Sequence, residues 1–298
     1  MKGLAYVRND VMIKDGRAFT IEESNSYIEV FKKKLPTIHT IIHFTDFPKR
    51  IELMNNLEHN PYHLLFYMIA PFYFIDDGES SIQYFYGEEN NNRLSKQALE
   101  NLPPRFQREY KKEQRFEYIQ LPGCKWNIDW IDESWIYTYV RDLYKHIWSS
   151  TQQEKGKRIY ISRNASRNSQ RAILNEDELR PMLKGLGVDY CVLEDISFID
   201  TIRLFKSAEL VTGSHGAGLA WIIFCEPGTK VLEIYKNKLL KEHYTHIAHR
   251  CKLHSFRFSE VLDDPAVPPP SDPKIVDDGH MVVNIPRYIS AMKELIAI

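Results

Sequence analysis

Three glycines, a serine and a histidine between residues 213 and 218 form the part of this sequence best suited to bind a ligand. Apolar residues up to Val211 predict a strand before them, and a helical pattern begins at Leu219. Because the side chains at this turn are small, backbone N–H groups at the helix start stay open, and the helix dipole favours an anion there. We therefore predict a phosphate site, with a nucleotide diphosphate as its ligand. Its residues are Ser214, His215, Gly216, Ala217 and Gly218.

A purely structural role for these glycines is also open, because helix–strand packing in α/β proteins uses small residues at such turns. The spacing is GxxGxG, whereas dehydrogenases carry GxGxxG with an acidic residue after the second strand. A P-loop is excluded as well, since no Lys-Ser or Lys-Thr follows the last glycine. The pattern favours an anion site that belongs to neither class.

Charged residues at the ends of other predicted strands point to the same kind of ligand. Arg163 follows a predicted strand by one residue, and Arg167 and Arg171 lie in the polar loop behind it. A guanidinium can bind phosphate oxygens in bidentate fashion, although a solvated position is the favoured interpretation for Arg167. Glu233 stands on an otherwise apolar strand and therefore needs a partner, either a ribose hydroxyl or a basic side chain.

Composition narrows the class of protein. The chain has 298 residues, 43% of them hydrophobic, and a net charge of −1, which gives no sign of a nucleic-acid-binding surface. Its four cysteines lie far apart without CxxC spacing, which indicates reduced thiols and neither a disulfide framework nor a zinc site. The first ten residues lack an apolar signal region, and the longest apolar run, 64–75, is too short to span a bilayer. We expect a soluble, cytoplasmic protein.

Strands and helices alternate regularly in the second half of the chain. The patterns predict strands at 158–162, 190–193, 210–211 and 231–235, with helices at 175–186 and 197–207. This alternation is typical of an α/β protein whose parallel sheet is covered on both faces. The polar run 149–156 predicts a linker, so we expect two α/β lobes with ligands outside the carboxyl ends of their strands.

The first half of the chain is less regular. Residues 64–75 predict a buried helix that Pro71 kinks or ends, and residues 133–148 predict an amphipathic helix. Residues 88–115 are too charged for a core, which predicts surface helix and loop.

Taken in order, the motifs of the second half resemble those of glycosyltransferase family 61, which includes plant xylosyltransferases and animal N-acetylglucosaminyltransferases and is broadly similar to bacterial capsular polysaccharide enzymes. The resemblance rests on residues 159–163, 171–179, 213–219, 227–229 and 231–234. In the first half it is weaker and rests mainly on Asn60, His63 and the apolar helix behind them.

The resemblance implies a GT-B fold of two Rossmann-like lobes, a UDP-sugar donor, inversion at the anomeric carbon and no required metal. On this basis residues 1–150 are the acceptor-side lobe and residues 151–280 bind the nucleotide sugar. Residues 281–298 form a C-terminal helix, for which packing back on the first lobe is one option. No cofactor is expected beyond the donor, and the partners are this donor and a glycan acceptor.

Glycosyl transfer requires that the charge of the departing diphosphate be stabilised, and without a metal this falls to helix N–H groups and arginines. The predicted donor-binding residues are Arg163, Arg171, Asn175, Ser214, His215, Gly216, Ala217, Gly218 and Glu233.

Inversion also requires a base that takes the proton of the acceptor hydroxyl. The resemblance points to His63, with Asp76, Asp77 and Glu79 as further candidates. Family members often carry an Asp three or four residues after this His, where the chain has Phe66 and Tyr67. A capping or core role for His63 is the structural alternative.

The sequence therefore predicts an inverting, metal-independent glycosyltransferase, with UDP-xylose preferred over UDP-N-acetylglucosamine on resemblance alone. The alternative is a catalytically inactive nucleotide- or glycan-binding module on the same fold.

Overall fold

The computed structural model describes about two thirds of the chain, in two compact units, Met1–Tyr144 and Lys145–Ile298. The described residues are 6–8, 11–14, 17–20, 40–43, 49–53, 60–74, 76, 78–79, 81–86, 93–109, 118–120, 134–149, 156–164, 171–236, 242–263 and 279–297. The predicted linker, 149–156, lies just beyond the boundary between the units.

The first unit contains two sheets. Three short strands, β1 (Tyr6–Arg8), β2 (Val11–Lys14) and β3 (Arg17–Thr20), form an antiparallel sheet. The second sheet has the order β7-β6-β5-β4-β8. Its strands are β4 (Thr40–His43), β5 (Lys49–Leu53), β6 (Ile82–Tyr86), β7 (Phe106–Glu109) and β8 (Tyr118–Gln120).

This second sheet is mixed, which differs from the all-parallel sheet of a Rossmann-like lobe. Strands β5, β6 and β7 are parallel, whereas β4 runs antiparallel to both of its neighbours. Strand β7 lies inside the segment 88–115 that the sequence assigned to surface helix and loop. Phe106 is buried here between the polar residues Arg105 and Gln107, so the charge of the segment masked the strand pattern.

Helices of the first unit include α1 (Arg93–Glu100) and α2 (Ser134–Leu143). The apolar run after Asn60 is helical as predicted, but it changes type along its length. One α-turn, Pro61–His63, leads into a π-helix, Leu64–Ile69, and then into a 3-10 helix, Ala70–Phe74. The change to the 3-10 helix occurs next to Pro71, which has no N–H to continue a regular helix.

The second unit is built on a five-stranded parallel sheet, which confirms the predicted α/β class. Its strands are β9 (Lys157–Ile161), β10 (Asp189–Cys191), β11 (Ala208–Ser214), β12 (Lys230–Ile234) and β13 (His254–Phe258). The sheet order is β10-β9-β11-β12-β13, and every neighbouring pair is parallel. In chain order this is 2-1-3-4-5, the order of flavodoxin-like doubly wound sheets.

One face of this sheet is covered by α4 (Glu176–Gly185) and the C-terminal helix α7 (Ile285–Ala297). The core on this face includes Tyr160, Leu179, Leu183, Leu210, Leu232, Tyr288, Met292 and Leu295. The buried side of α7 thus belongs to the core of the second unit, because its apolar residues meet the sheet here. A short antiparallel pair, β14 (Val261–Asp263) and β15 (Met281–Val283), precedes α7.

The opposite face carries α3 (His146–Ser149), α5 (Phe198–Ser207), α6 (His243–Arg250) and a 3-10 helix, Ala217–Phe224. Buried Trp221 of the 3-10 helix contacts the rings of Phe198, Phe205 and Phe224. The element predicted as an α-helix from Leu219 is therefore a 3-10 helix that begins at Ala217.

Three cysteines of the second unit, Cys191, Cys225 and Cys251, are reduced thiols, as predicted, and all three are buried. Burial raises the pKa of Cys191 to about 11, so this thiol stays protonated and unreactive near neutral pH. Cys124 lies outside the described residues. In the part of the chain that the structure describes, no helix has the length and apolar character to cross a membrane.

Candidate functional site

The candidate site lies where β9 and β11 end next to each other. Strand β10 lies on the far side of β9, whereas β12 lies on the far side of β11, so the chain order of the sheet reverses between β9 and β11. Ligands of open parallel sheets bind in the crevice outside the strand ends at this reversal. Gly213 of β11 pairs with Ile161 of β9, and the two chains therefore leave the sheet side by side.

Arg163 and Gly216 occupy this crevice together. A Cβ added at Gly216 would lie 1.5 Å from Nη1 and 2.6 Å from Cζ of Arg163. The backbone at Gly216 is extended, with φ 171° and ψ 167°, so the glycine is required for space and not for its backbone angles. Because Gly216 has no side chain, this turn has room for the guanidinium of Arg163, which follows the neighbouring strand β9.

Ala217 begins the 3-10 helix directly beside this guanidinium. The helix closes its first turn through the Leu219 N–H, which donates to the Gly216 carbonyl at 2.9 Å. Gly216 has no side chain that could cap the helix, and Ala217 and Gly218 are half-buried. Backbone N–H groups and a guanidinium thus lie together, a combination that binds phosphate oxygens.

His215 and Glu233 are joined by a buried hydrogen bond next to this turn. Nδ1 of His215 bonds to Oε1 of Glu233, and both side chains are 3% exposed. The second oxygen of Glu233 lies 3.6 Å from Nε of Arg257 on β13. Of the two partners expected for Glu233, the structure therefore shows basic side chains, and a contact with ribose remains a prediction.

Tyr244 completes this group of residues and was not predicted from the sequence. Its ring lies 5.0 Å from the His215 ring, and its side chain is buried. Burial raises the pKa of the Tyr244 hydroxyl and the Glu233 carboxylate raises it further, while Arg171 and Arg163 oppose the shift. Tyr244 is therefore a neutral phenol near neutral pH, and both arginines lie within electrostatic reach of it.

Arg171, the second predicted cation, has φ 64°, a backbone conformation uncommon for residues other than glycine. The predicted residue Arg167 lies outside the described residues. Arg257 was also missed, although a sequence signal existed: it is a charged residue between Phe256 and Phe258, and it stands opposite Glu233 in the register of β12 and β13. Opposite charges at facing positions of neighbouring strands attract each other.

A buried carboxylate supports the strand end that carries Arg163. Glu176 accepts hydrogen bonds from Tyr160 (2.7 Å), Ser162 (2.8 Å) and Tyr190 (2.8 Å). Ser162 also accepts a hydrogen bond from the N–H of Asn164 at 3.2 Å. These bonds fix the backbone on both sides of Arg163.

Asn175, predicted to bind the donor, has a structural task. Its Nδ2 donates to the Val283 carbonyl at 2.9 Å, and its Oδ1 accepts from the Val283 N–H at 3.0 Å. Asn164 makes the same pair of hydrogen bonds with Ile173. Its Nδ2 donates to the Ile173 carbonyl at 2.9 Å, and its Oδ1 accepts from the Ile173 N–H at 3.2 Å. A role of Asn175 towards the donor remains a prediction.

The candidate base His63 lies in the first unit at the start of the π-helix. The side chain of Asn60 accepts hydrogen bonds from the N–H groups of Tyr62 (3.0 Å) and His63 (3.4 Å), so Asn60 caps this helical segment. His63 is half-buried, and its side chain makes no capping hydrogen bond to the π-helix. Single π-turns inside helices are frequent at functional sites.

Asp76, another candidate base, is held by four donors. Arg105 bonds both of its oxygens, at 3.0 and 2.7 Å, Tyr139 donates at 2.8 Å and the Gly78 N–H at 2.9 Å. Burial favours the neutral acid, but these hydrogen bonds prevail and lower the pKa of Asp76. An ionised and fully occupied carboxylate is a poor general base. Asp77 lies outside the described residues, and Glu79 is exposed.

A family model, glycosyltransferase 61, matches residues 62–232, more than half of the chain and parts of both units. The chain belongs to glycosyltransferase family 61. The match begins one residue before His63 and ends one residue before Glu233, so it includes the His63 segment and the turn at Gly216. The family predicted from the motifs is thereby confirmed.

Several other proteins are similar to this chain over short regions. Protein O-linked-mannose β-1,4-N-acetylglucosaminyltransferase 2 from Xenopus laevis is 36% identical over 86 residues, which are 27% of this chain and 14% of that protein. The protein of the same name from Homo sapiens is 35% identical over 86 residues, again 27% of this chain and 14% of that protein. EGF domain-specific O-linked N-acetylglucosamine transferase from Bos taurus is 32% identical over 87 residues, 27% of this chain and 16% of that protein. The matches span a small part of these relatives.

Proposed function

We propose that this protein is an inverting, metal-independent glycosyltransferase with a GT-B fold that moves a sugar from a UDP-sugar to a hydroxyl of a glycan acceptor. The family supports sugar transfer in general, and the geometry of the second unit supports a donor with a diphosphate. The acceptor is proposed from the family alone.

The contact between Arg163 and Gly216 is the observation that carries this proposal. It places a guanidinium and the start of the 3-10 helix together at the reversal of strand order. Electrostatic groups fixed in advance stabilise a leaving group most effectively, because they need not reorganise during the reaction. Arg171 adds positive charge nearby, as its effect on Tyr244 indicates. The second unit is therefore suited to bind a diphosphate and to stabilise its departure.

The donor sugar is proposed from the relatives. Two kinds of relative are named as N-acetylglucosamine transferases, which supports UDP-N-acetylglucosamine as the first donor to test. UDP-xylose, which the sequence resemblance favoured, is the second.

His63 is the proposed base. The hydrogen bonds that hold Asp76 ionised and occupied favour His63 over this carboxylate. Histidine changes its protonation state near neutral pH, which suits a group that accepts a proton from an acceptor hydroxyl.

One experiment tests the proposal: release of UDP from UDP-N-acetylglucosamine, UDP-xylose and UDP-glucose, with and without EDTA, in the presence of glycan acceptors. We expect turnover of one donor that EDTA does not reduce, and proton NMR of the product should show an inverted anomeric centre. Binding of UDP without turnover of any donor would favour the inactive binding module. Loss of turnover in EDTA, restored by a divalent cation, would contradict metal independence.

A further inference from the structure

The hydrogen bond between His215 and Glu233 is buried beside the proposed diphosphate site, and its geometry determines which nitrogen of His215 gains a proton. Both oxygens of Glu233 face cationic or N–H groups, Nδ1 of His215 on one side and Nε of Arg257 on the other. Each oxygen of Glu233 is thus placed to accept a hydrogen bond. Nδ1 of His215 must therefore carry its hydrogen in both charge states, and the proton that changes the charge of the ring binds at Nε2.

The carboxylate of Glu233 lies between the ring of His215 and the cation Arg257. Glu233 and Arg257 cancel each other when the ring is neutral, so protonation of Nε2 adds a net positive charge to a buried position. The charged and titratable groups on the elements packed around the ring come from four places. They are Glu233 on β12 and Lys236 just after it, Arg257 on β13, Glu242, His243 and Tyr244 at α6, and Arg163 and Arg171 from the loop after β9. Glu233 favours the protonated ring, whereas the arginines oppose it.

A diphosphate would change this balance. Its negative charges would lie beside Gly216, the residue that follows His215, and would offset the arginine charges that oppose protonation. Charges a few ångströms apart interact strongly at a position shielded from water. The protonated form of His215 is therefore more stable when the diphosphate is bound than when the site is empty.

We propose that binding of a nucleoside diphosphate at residues 214–218 is coupled to protonation of His215 at Nε2. One proton leaves the solvent and forms the N–H bond, and no other bond changes. The inference rests on the proposed function, since it takes a diphosphate as the ligand of this site. In this proposal the protonated ring of His215 compensates part of the diphosphate charge, and Glu233 favours the protonated state.

Calorimetric titration with UDP tests this coupling. Binding heats measured between pH 6 and pH 9, in buffers that differ in ionisation enthalpy, give the number of protons taken up per UDP. We expect net uptake of a fraction of a proton in the wild type, with a maximum inside this range. The dissociation constant should rise with pH, by at most about tenfold per pH unit, which is the limit for one linked proton.

His215→Gln removes the titrating group and should abolish the uptake, whereas the matched change His249→Gln, at an exposed position of α6, should leave it intact. The second ionisation of a phosphate near pH 6 belongs to UDP and is common to all variants. Glu233→Gln offers a second test if His215→Gln folds poorly. It should move the pH of maximum uptake downwards, because it removes the charge that favours the protonated ring.

UDP binding without proton uptake at any pH in this range would overturn the coupling and leave the proposed function intact. Uptake that persists in His215→Gln would also overturn it. Failure of UDP to bind at all would overturn the proposed function together with the coupling.

Discussion

The guanidinium of Arg163 fills the space that a side chain at Gly216 would need. The ends of β9 and β11 are far apart in the sequence. They meet where the large side chain of Arg163 occupies the space that Gly216 leaves open. The donor site depends on this pairing, since the cation and the helix start reach a common ligand only if both keep their positions.

Gly216→Ala should displace Arg163 and weaken UDP binding. A hydrogen bond to a charged group contributes about 1.5–3 kcal/mol, so we expect a loss of affinity of roughly ten- to a hundredfold. Calorimetry measures the effect, and Gly185→Ala is the matched control because a Cβ there meets nothing within 4 Å. In an Arg163→Ala background, Gly216→Ala should cost little more. A full additional loss in that double variant would show that the two residues act independently.

Glu176→Ala should destabilise the second unit by removing the acceptor of three hydroxyl groups. A buried polar group without a partner costs about 1–3 kcal/mol, so the free energy of unfolding should fall by about 2 kcal/mol or more. Urea denaturation provides the measurement. Glu178→Ala, which changes an exposed acid in the same first turn of α4, should have an effect below about 1 kcal/mol. Equal losses in both variants would mean that the helix dipole, not the buried network, accounts for the role of Glu176.

Asp76→Asn should lower stability in a way that depends on pH. The pKa of Asp76 lies below 3.8, the usual value of an aspartate, so its ionised form stabilises the fold above that pH. This contribution is lost as the pH falls through the lowered pKa of the folded protein. We expect Asp76→Asn to cost on the order of 2 kcal/mol at pH 7 and progressively less below pH 3.8. Urea unfolding from pH 7 to pH 2 measures this difference, and a difference that does not change with pH would contradict the assigned role.

His63→Ala should abolish sugar transfer while the affinity for UDP stays within about twofold of the wild type, because a base acts on the acceptor and not on the nucleotide. The comparison variant is Asp76→Asn, which should retain transfer at temperatures where it is folded. Steady-state kinetics and UDP titration together make the test. Sugar transfer by the His63→Ala variant would show that another residue acts as the base.

Much of the second unit could be predicted from its sequence, because its strands and helices alternate and polar residues mark the ends of β9 and β11. The positions of Arg163 and of residues 214–218 at strand ends followed from this alternation. The distance between them could not be predicted, because local sequence patterns do not determine the order of the strands in a sheet. That β9 and β11 are neighbours emerges only from the assembled sheet.

The first unit was predicted less well for two physical reasons. Its strands β6 and β7 are short and mix buried with polar residues, so they lack the continuous apolar run of a central parallel strand. The hydrogen bonds that occupy Asp76 come from residues 29 and 63 positions away along the chain. A candidate base could therefore be named from the sequence, but its ionisation state could not be judged.

Asn164 and Asn175 each use one amide to imitate a strand partner, with the nitrogen donating to a carbonyl and the oxygen accepting from the N–H of the same residue. Replacement by aspartate would preserve shape but set two acceptors against each other at the carbonyl. Spontaneous deamidation is such a replacement, so chemical ageing at either position would loosen the segments next to the site without changing the size of any side chain.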